Sequence, residues 1–299
     1  MVLDADLIFA GCSMLGIAAS LFVGGRWLGR RAGKAVGPLV VLGLLAATAF
    51  SWFASEHLFW ATLIPLSGVL LWSHWTPLLV AAAAGLTDVN PSLPARRRRR
   101  LSCSLIMVAG LLFLHPLLRG VVRPIVGWET ARWQGEDCIQ SHSATCGPAS
   151  AATLLRHVQI DASERQLAAW CLSSQDGTSS LGLYRGLLRA TADTDLQPQP
   201  TATSLRELVE RRQLPAVALV EFQTAPQSLL TTGLFGRSDS RHAVVLLGRD
   251  ARGNWRVSDP AVGRVVWDND TLESRFTGQA LHLKSRSHSP NRAMAGGVE

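Results

Sequence analysis

The chain has 299 residues, with 29 Lys+Arg against 22 Asp+Glu and a formal net charge of +7. That length leaves room for about two domains. Residues 1–124 hold 11 Lys+Arg and 4 Asp+Glu, while the remainder holds 18 of each. All of the excess charge therefore lies in the first part, between hydrophobic runs. This argues for orientation in a membrane and against a nucleic-acid-binding patch.

In chain order the first part reads as an α-helical membrane domain, residues 1–124, with four transmembrane helices near 7–25, 35–55, 58–86 and 101–118. A helix crossing roughly 30 Å of hydrocarbon needs about 20 apolar residues. Leu7–Gly25 and Ala35–Ser55 carry no charged side chain and meet that length. Leu58–Leu86 reads as one long tilted helix, or as a helix followed by a re-entrant piece at Pro77. Leu101–Leu118 is the fourth run. The acidic start "MVLDAD" is unlike the basic n-region of a cleaved signal peptide, and Cys12 after "FAG" makes only a faint lipoprotein-like site. Arg26, Arg30, Arg31 and Lys34 follow the first run, and Arg96–Arg100 precede the fourth. Four crossings put both basic loops on one side, which the positive-inside rule makes the cytoplasm. Everything after Leu118 is then expected outside, from a multi-pass protein of a bacterial inner or plasma membrane, with the lipid bilayer as a partner.

Residues 125–284 read as a soluble α+β domain, helices first and strands later. Helices are expected over Cys146–Val158, over "DASERQLAAW" with Asp161 or Ser163 as N-cap, in "DGTSSLGLYRGLLRA", and in "SLRELVERRQ". Strands are expected in "PAVALVEF", "HAVVLLGRD", "NWRVSDP", "GRVVW" and "QALHL". The tail 285–299 has the composition of a disordered end.

The chemistry centres on "CIQSHSATCGPASAATLLRHV". A thiolate is a nucleophile, and a helix amino terminus favours negative charge there. Cys146 occupies that place, with Gly147 expected to admit a substrate backbone and Pro148 suited to the first turn. A lone cysteine more often simply packs, so its partners decide the reading. His157 lies eleven residues along the same helix, roughly 16 Å away at 1.5 Å per residue, and is out of reach. His142 sits in a loop with little to hold it, His282 alternates with leucines, and His288 lies in the tail. His242 opens a strand after a polar loop. A hairpin folded about Ala251–Arg252 brings Asp259 opposite or diagonal to His242 and leaves Asp250 in the turn. Gln140 is placed to donate, with the Cys146 N–H, to an oxyanion.

These segments resemble the bacteriocin-processing, double-glycine leader peptidases, which are papain-like cysteine peptidases. "QSHSATCGPASAATLL", "DGTSSLGL", "HAVVLLG", "SDPAVG" and "FTGQALHL" follow that family's order over roughly Asp137–Leu283. The resemblance implies Cys146 as nucleophile, His242 as base, Asp259 as orienter and Gln140 in the oxyanion hole, with no cofactor or metal. Its best-known members place the peptidase before the membrane helices, in the cytoplasm, fused to an ABC exporter. Here it follows the helices, and no G-x-x-x-x-G-K-[ST] run occurs. The loop Gln223–Arg241 is longer than the family needs and is expected to cover the cleft. The expected function is a membrane-anchored cysteine peptidase cutting a peptide or protein precursor, with a Gly-Gly leader as one candidate substrate and export machinery as a candidate partner. The alternatives are a non-catalytic receptor or scaffold for leader-like peptides, and a cell-wall peptide hydrolase on the same fold. An exported domain with Cys138, Cys146 and Cys171 leaves one candidate disulfide once the nucleophile stays free, Cys138 with Cys171.

Overall fold

The computed structural model describes residues 5–130, 132–202, 204–222 and 241–286. Helix α1 (Ala5–Ala32) passes through a 3-10 turn at Gly33–Ala35 into α2 (Val36–Phe53). Gly33 takes a positive φ of 54°, which lets the chain reverse there without a Cβ clash. Short α3 (Phe59–Leu63) and α4 (Val69–Trp72) precede α5 (Thr76–Asp88) and α6 (Ala95–Val122).

Helix α5 is the axis of this bundle. Gly25 and Gly29 of α1 lie against Ala82 and Leu86 of α5, while Gly43 of α2 meets Ala83. Ala47, Val80 and Ala109 form one buried cluster, and the Phe50 ring stacks on Trp75. The Ser102 hydroxyl of α6 donates to the Ala84 carbonyl at 3.0 Å. So α1 runs with α5 while α2 and α6 run against it. Small residues permit this closeness: a Cβ on Gly85 would stand 2.1 Å from the Phe22 carbonyl oxygen, the packing device of helices without a hydrophobic drive between them. The outward faces are apolar instead, with Phe9, Val23, Trp27, Leu42, Leu45, Trp52, Met107, Leu111 and Val121 exposed.

Two helical stretches, Ala5–Phe53 and Ala95–Val122, are long and apolar enough to cross a membrane. By that measure two stretches, not the four expected, are shown, and the boundaries of the expected runs differ in two places. The first two runs are joined without a loop, α1 and α2 reversing direction through the 3-10 turn at Gly33–Ala35. The third run breaks: Ile64, before Pro65, leaves the helical region at φ −128°, ψ 85°, because proline disfavours α geometry in the residue it follows. A second break separates Trp72 from Thr76, and Pro77 opens α5 at its first turn rather than making a re-entrant piece. Helix α6 starts earlier than expected and takes in all of Arg96–Arg100; arginine is a good helix former, and nothing after Pro94 interrupts it.

The fragments of that third run pack onto the α+β domain. Leu58, Ala61, Val69 and Leu70 share one buried cluster with Ala149, Leu154, Leu183, Val217 and Leu281. The Leu58 N–H donates to the Gln279 side-chain oxygen at 3.0 Å. At the end of α6, Gly120 faces the Ser173 carbonyl, the Gln175 N–H donates to the Arg123 carbonyl, and Arg123 pairs with Asp176. The α+β domain thus sits at one end of the bundle, and Arg96–Arg100 with Arg30, Arg31 and Lys34 lie at the other.

That domain has a two-stranded ribbon, β1 (Arg132–Gln134) with β2 (Asp137–Ile139), and one antiparallel six-stranded sheet. The sheet order is β3 (Leu196–Ala202), β8 (Phe276–Ser285), β4 (Ala216–Glu221), β5 (Arg241–Arg249), β6 (Trp255–Asp259), β7 (Gly263–Trp267). Helices α7 (Cys146–Arg156), α8 (Glu164–Trp170) and α9 (Ser180–Ala190) cover one face through Leu154, Leu167 and Leu183 against Val217, Val245 and Leu281. Helices α10 (Leu205–Glu210) and α11 (Asn269–Arg275) cover the other, where Leu208 and Leu272 join Ala218, Val244, Leu246 and Trp255. Neighbouring strand residues go to opposite faces, as the pleat requires.

The five expected strands and four expected helices are all present, and Ser163, not Asp161, caps α8 through the Gln166 N–H. Missing from the expectation were β1, β2, β3 and α11. Strand β3 contains Pro198 and Pro200, which sequence alone counts against a strand; it lies at the sheet edge, where a missing N–H costs no ladder bond. The expected disordered tail begins one residue inside β8. Residues 287–299, including His288, lie outside the described residues, as do residues 223–240 of the expected cleft-covering loop.

The bundle makes a direct prediction. Gly85→Val forces a side chain into the Phe22 backbone and should lower the stability of the detergent-solubilised chain by about 1–3 kcal/mol, read as a fall in Tm. An unchanged Tm would mean that α1 and α5 do not approach as described.

Candidate active site

Cys146 is the first residue of α7, after Thr145 as N-cap. Its N–H has no acceptor among the described residues, as expected at a helix start. The loop before it is well held. The Thr145 hydroxyl donates to the His142 carbonyl at 2.6 Å, and the Ala144 N–H donates to His142 Nδ1 at 3.0 Å. His142, expected to be loosely held, is therefore locked into the turn through Nδ1. Gln140 donates its backbone N–H to the Pro260 carbonyl at 2.8 Å. The next N–H, of Ser141, donates to Glu164 Oε1 at 2.9 Å. Glu164 is 1 % exposed and its other oxygen has no partner among the described residues. The Gln140 side-chain oxygen is likewise buried without a partner.

Facing this loop, β5 and β6 form the expected hairpin, with Val245 opposite Ser258 and Asp250 in the far turn. His242 shares the alternation of Val244 and Leu246, and Asp259 that of Trp255 and Val257, so both fall on one face. The His242 Nε2 lies 2.7 Å from Asp259 Oδ1. The same carboxylate oxygen accepts the Ala261 N–H at 2.9 Å, which fixes it in the Asp259–Gly263 turn. Gly263, at φ +93°, closes that turn, and a Cβ there would meet the Gln134 side chain at 2.5 Å.

Electrostatics follow this geometry. Burial pushes the His242 imidazole down, but the hydrogen bond to Asp259, the neighbouring Cys146 side chain and the charges of both outweigh it, raising the pKa to about 9. Burial pushes the Asp259 carboxyl up, and it is held below its ordinary value by the His242 hydrogen bond, the Ala261 N–H and the charges of His242 and Arg275. The Cys146 side chain beside the ring thus adds to the proton affinity that Asp259 gives it. Nε2 is engaged by Asp259, so Nδ1 is the nitrogen left for the thiol.

Some neighbours had no sequence signal strong enough to name them. The Ser150 hydroxyl, one helical turn beyond Cys146, donates to the Ala243 carbonyl beside His242 at 2.9 Å. This bond fixes the nucleophile helix against the histidine strand. The Phe222 ring lies 5.6 Å from the His242 ring, and the Arg275 guanidinium stacks over both Phe222 and Trp267. Thr178 occupies the place expected for substrate at Gly147, where a Cβ would approach it to 3.2 Å; Gly147 accommodates this loop instead. His157 pairs with Glu136, and His282 is buried against the Thr201 hydroxyl. The expected Cys138–Cys171 bridge is corrected: both are free, buried thiols, and burial pushes each up to about 12. The Cys171 sulfur is turned into the notch of Gly186, where a Cβ would stand 2.2 Å from it.

A helix-start thiol beside a histidine–carboxylate pair, on an α+β sheet, defines a cysteine-peptidase-like domain. The model of the Peptidase C39 family matches residues 138–288, just over half of the 299 residues, and the chain belongs to that family. An uncharacterized protein of Methanothermobacter marburgensis is 30% identical over 142 residues, covering 48% of this chain and 83% of its own length. One of Methanothermobacter thermautotrophicus is 27% identical over 143 residues, with 48% and 84% covered. Among solved structures, a double-glycine-motif protease from an AMS/PCAT transporter, in complex with the leader peptide, is 21% identical with a TM-score of 0.38, over 54% of this chain and 95% of that one. The peptidase domain of Streptococcus ComA, a bifunctional ABC transporter of a quorum-sensing pathway, is 19% identical with a TM-score of 0.38, over 49% and 96%.

Two measurements test this geometry. Ser150→Ala leaves the Ala243 carbonyl buried without its donor and should cost about 1–3 kcal/mol in denaturant unfolding; no loss would remove the staple from the account. The His242 pKa is raised on folding, so its stabilising contribution is complete below the ordinary value of 6.5 and is lost as pH rises through about 9. Asp259→Asn should move that alkaline loss to lower pH, read by stability against pH. An unmoved limb would mean that Asp259 does not set the imidazole.

Proposed function

We propose that the chain is a membrane-anchored cysteine peptidase that cuts a peptide or protein precursor on the extracytoplasmic side. The observation that carries this is the hydrogen-bonded His242–Asp259 pair beside the helix-start Cys146. With the thiol proton already held on His242 Nδ1, whose proton affinity is raised, Cys146 Sγ attacks the scissile carbonyl carbon. The oxyanion takes hydrogen bonds from the Gln140 side-chain amide and the Cys146 N–H. Collapse breaks the C–N bond, and His242 returns the proton to the leaving amine. Water, with its proton taken by His242, then hydrolyses the thioester and frees Cys146. Asp259 holds the ring in the tautomer and direction that both transfers need.

Placement in a bilayer is supported by the apolar outward faces of α1, α2 and α6, which leave large side chains such as Phe9, Leu45 and Leu111 uncovered. The outward orientation is supported by the basic residues at one end of the bundle and the peptidase at the other, since basic loops stay in the cytoplasm. Helix α6, with 28 residues, is about 42 Å long and spans the distance between them. The substrate we infer is a leader-bearing precursor presented at the membrane surface, with Gly-Gly as the candidate cleavage motif and export machinery as the candidate partner.

Cys146→Ala should abolish cleavage of a precursor-like peptide library that includes Gly-Gly leaders. His242→Ala should lower it roughly 10²–10⁴-fold. Wild-type rates in either variant would overturn the assignment. A reporter fused after Arg100 should behave as cytoplasmic and one fused after Glu299 as exported; the reverse would place the peptidase inside.

A further inference from the structure

The end of the bundle away from the peptidase carries an unbalanced charge. Arg96–Arg100 occupy the first two turns of α6, with no acidic residue in the first turn and no side-chain cap on Pro94. Arg96, Arg97, Arg99 and Arg100 are exposed, and none of the five makes an ion pair among the described residues. Arginines spaced three and four apart on one helix repel each other, and the positive pole of the helix adds to that repulsion. The adjoining end of α1 offers no relief. Arg30, Arg31 and Lys34 are exposed there, and only Arg26 is balanced, by Asp88 at 3.1 Å. The two ends are neighbours because Gly29 packs on Leu86 of α5, while Ser102 bonds Ala84 of the same helix. At this level Trp27 is exposed, with the Arg31 guanidinium 3.7 Å over its ring, a pairing suited to the boundary between hydrocarbon and headgroups.

We propose that this surface, made by Arg96–Arg100 with Arg30, Arg31 and Lys34, binds the phosphate headgroups of anionic phospholipids in the leaflet opposite the peptidase. It rests on the membrane reading above and adds a partner to it. The occupant is a lipid rather than a nucleic acid because the charge rims apolar outward faces: Val23 and Trp27 on α1 and Leu101 on α6 are exposed just inside it. A lipid meets both surfaces at once, with its phosphate on the arginines and its chains on the helices.

The test uses the full chain in nanodiscs of phosphatidylcholine with or without phosphatidylglycerol. Wild-type protein should retain phosphatidylglycerol preferentially in native mass spectrometry, and the preference should fade as salt rises. Replacing Arg96–Arg100 by Gln should weaken it by about fivefold per arginine at low salt. Replacing all five by Lys should preserve it, which separates charge from a disturbed helix. Equal retention of both lipids by the wild type overturns the proposal. So does loss of lipid preference to a competing RNA oligomer. Alkaline extraction from membranes distinguishes the two levels: a chain that washes out refutes the membrane reading itself, whereas one that stays but shows no lipid preference refutes only this surface.

Discussion

Asp259 is the carboxylate on which the geometry of the site turns. It is 7 % exposed, and one of its oxygens receives both the His242 ring and the Ala261 N–H. A buried charge is tolerable only when its hydrogen bonds are made, so the turn and the imidazole need each other. The same turn offers the Pro260 carbonyl to the Gln140 N–H. Through these few bonds the β6–β7 turn sets the direction of the ring and the position of the loop that leads into Cys146. The nucleophile helix is tied to the histidine strand separately, by the Ser150 bond to Ala243. Two independent attachments thus hold thiol and imidazole in register, which is what a site needs if small displacements are to be costly.

The helical part and the peptidase are joined by packing as well as by the chain. Leu58, Ala61, Val69 and Leu70 complete the buried face that α7 and α9 present, and Leu117 of α6 packs beside them. The loop from Ser173 to Thr178 meets the end of α6 at Gly120 and Arg123 and reaches Gly147 at its other end. A short chain of contacts therefore runs from the bundle to the residue after Cys146.

How much of this could be read beforehand depends on the range of the interaction. Cys146 at a helix start and the His242–Asp259 hairpin are local patterns, and a turn at "RDARGN" places two strands without further information. Ser150, Glu164 and Arg275 were illegible because each acts across the fold, on a carbonyl, an N–H or a ring whose position the sequence does not announce. Ser150 carried the nearest thing to a signal, at four residues from Cys146 and so on the same helix face. The proline-bearing β3 was missed because its tolerance comes from being at an edge, which is a property of the sheet. The start of the third apolar run misled for the opposite reason: Leu58, Ala61, Val69 and Leu70 serve the core of the α+β domain, and composition does not distinguish that from lipid. The cysteine pair misled through counting, since two thiols left over need not meet.

The plug of Leu58, Ala61, Val69 and Leu70 also orders the biosynthesis of the molecule. A chain grows from its amino terminus, and domains generally fold in that order. These four residues leave the ribosome well before Ala149, Leu154 and Leu183, whose core they complete. Helices α7 and α9 therefore close onto a template that is already in place, and the peptidase becomes whole only where the bundle is.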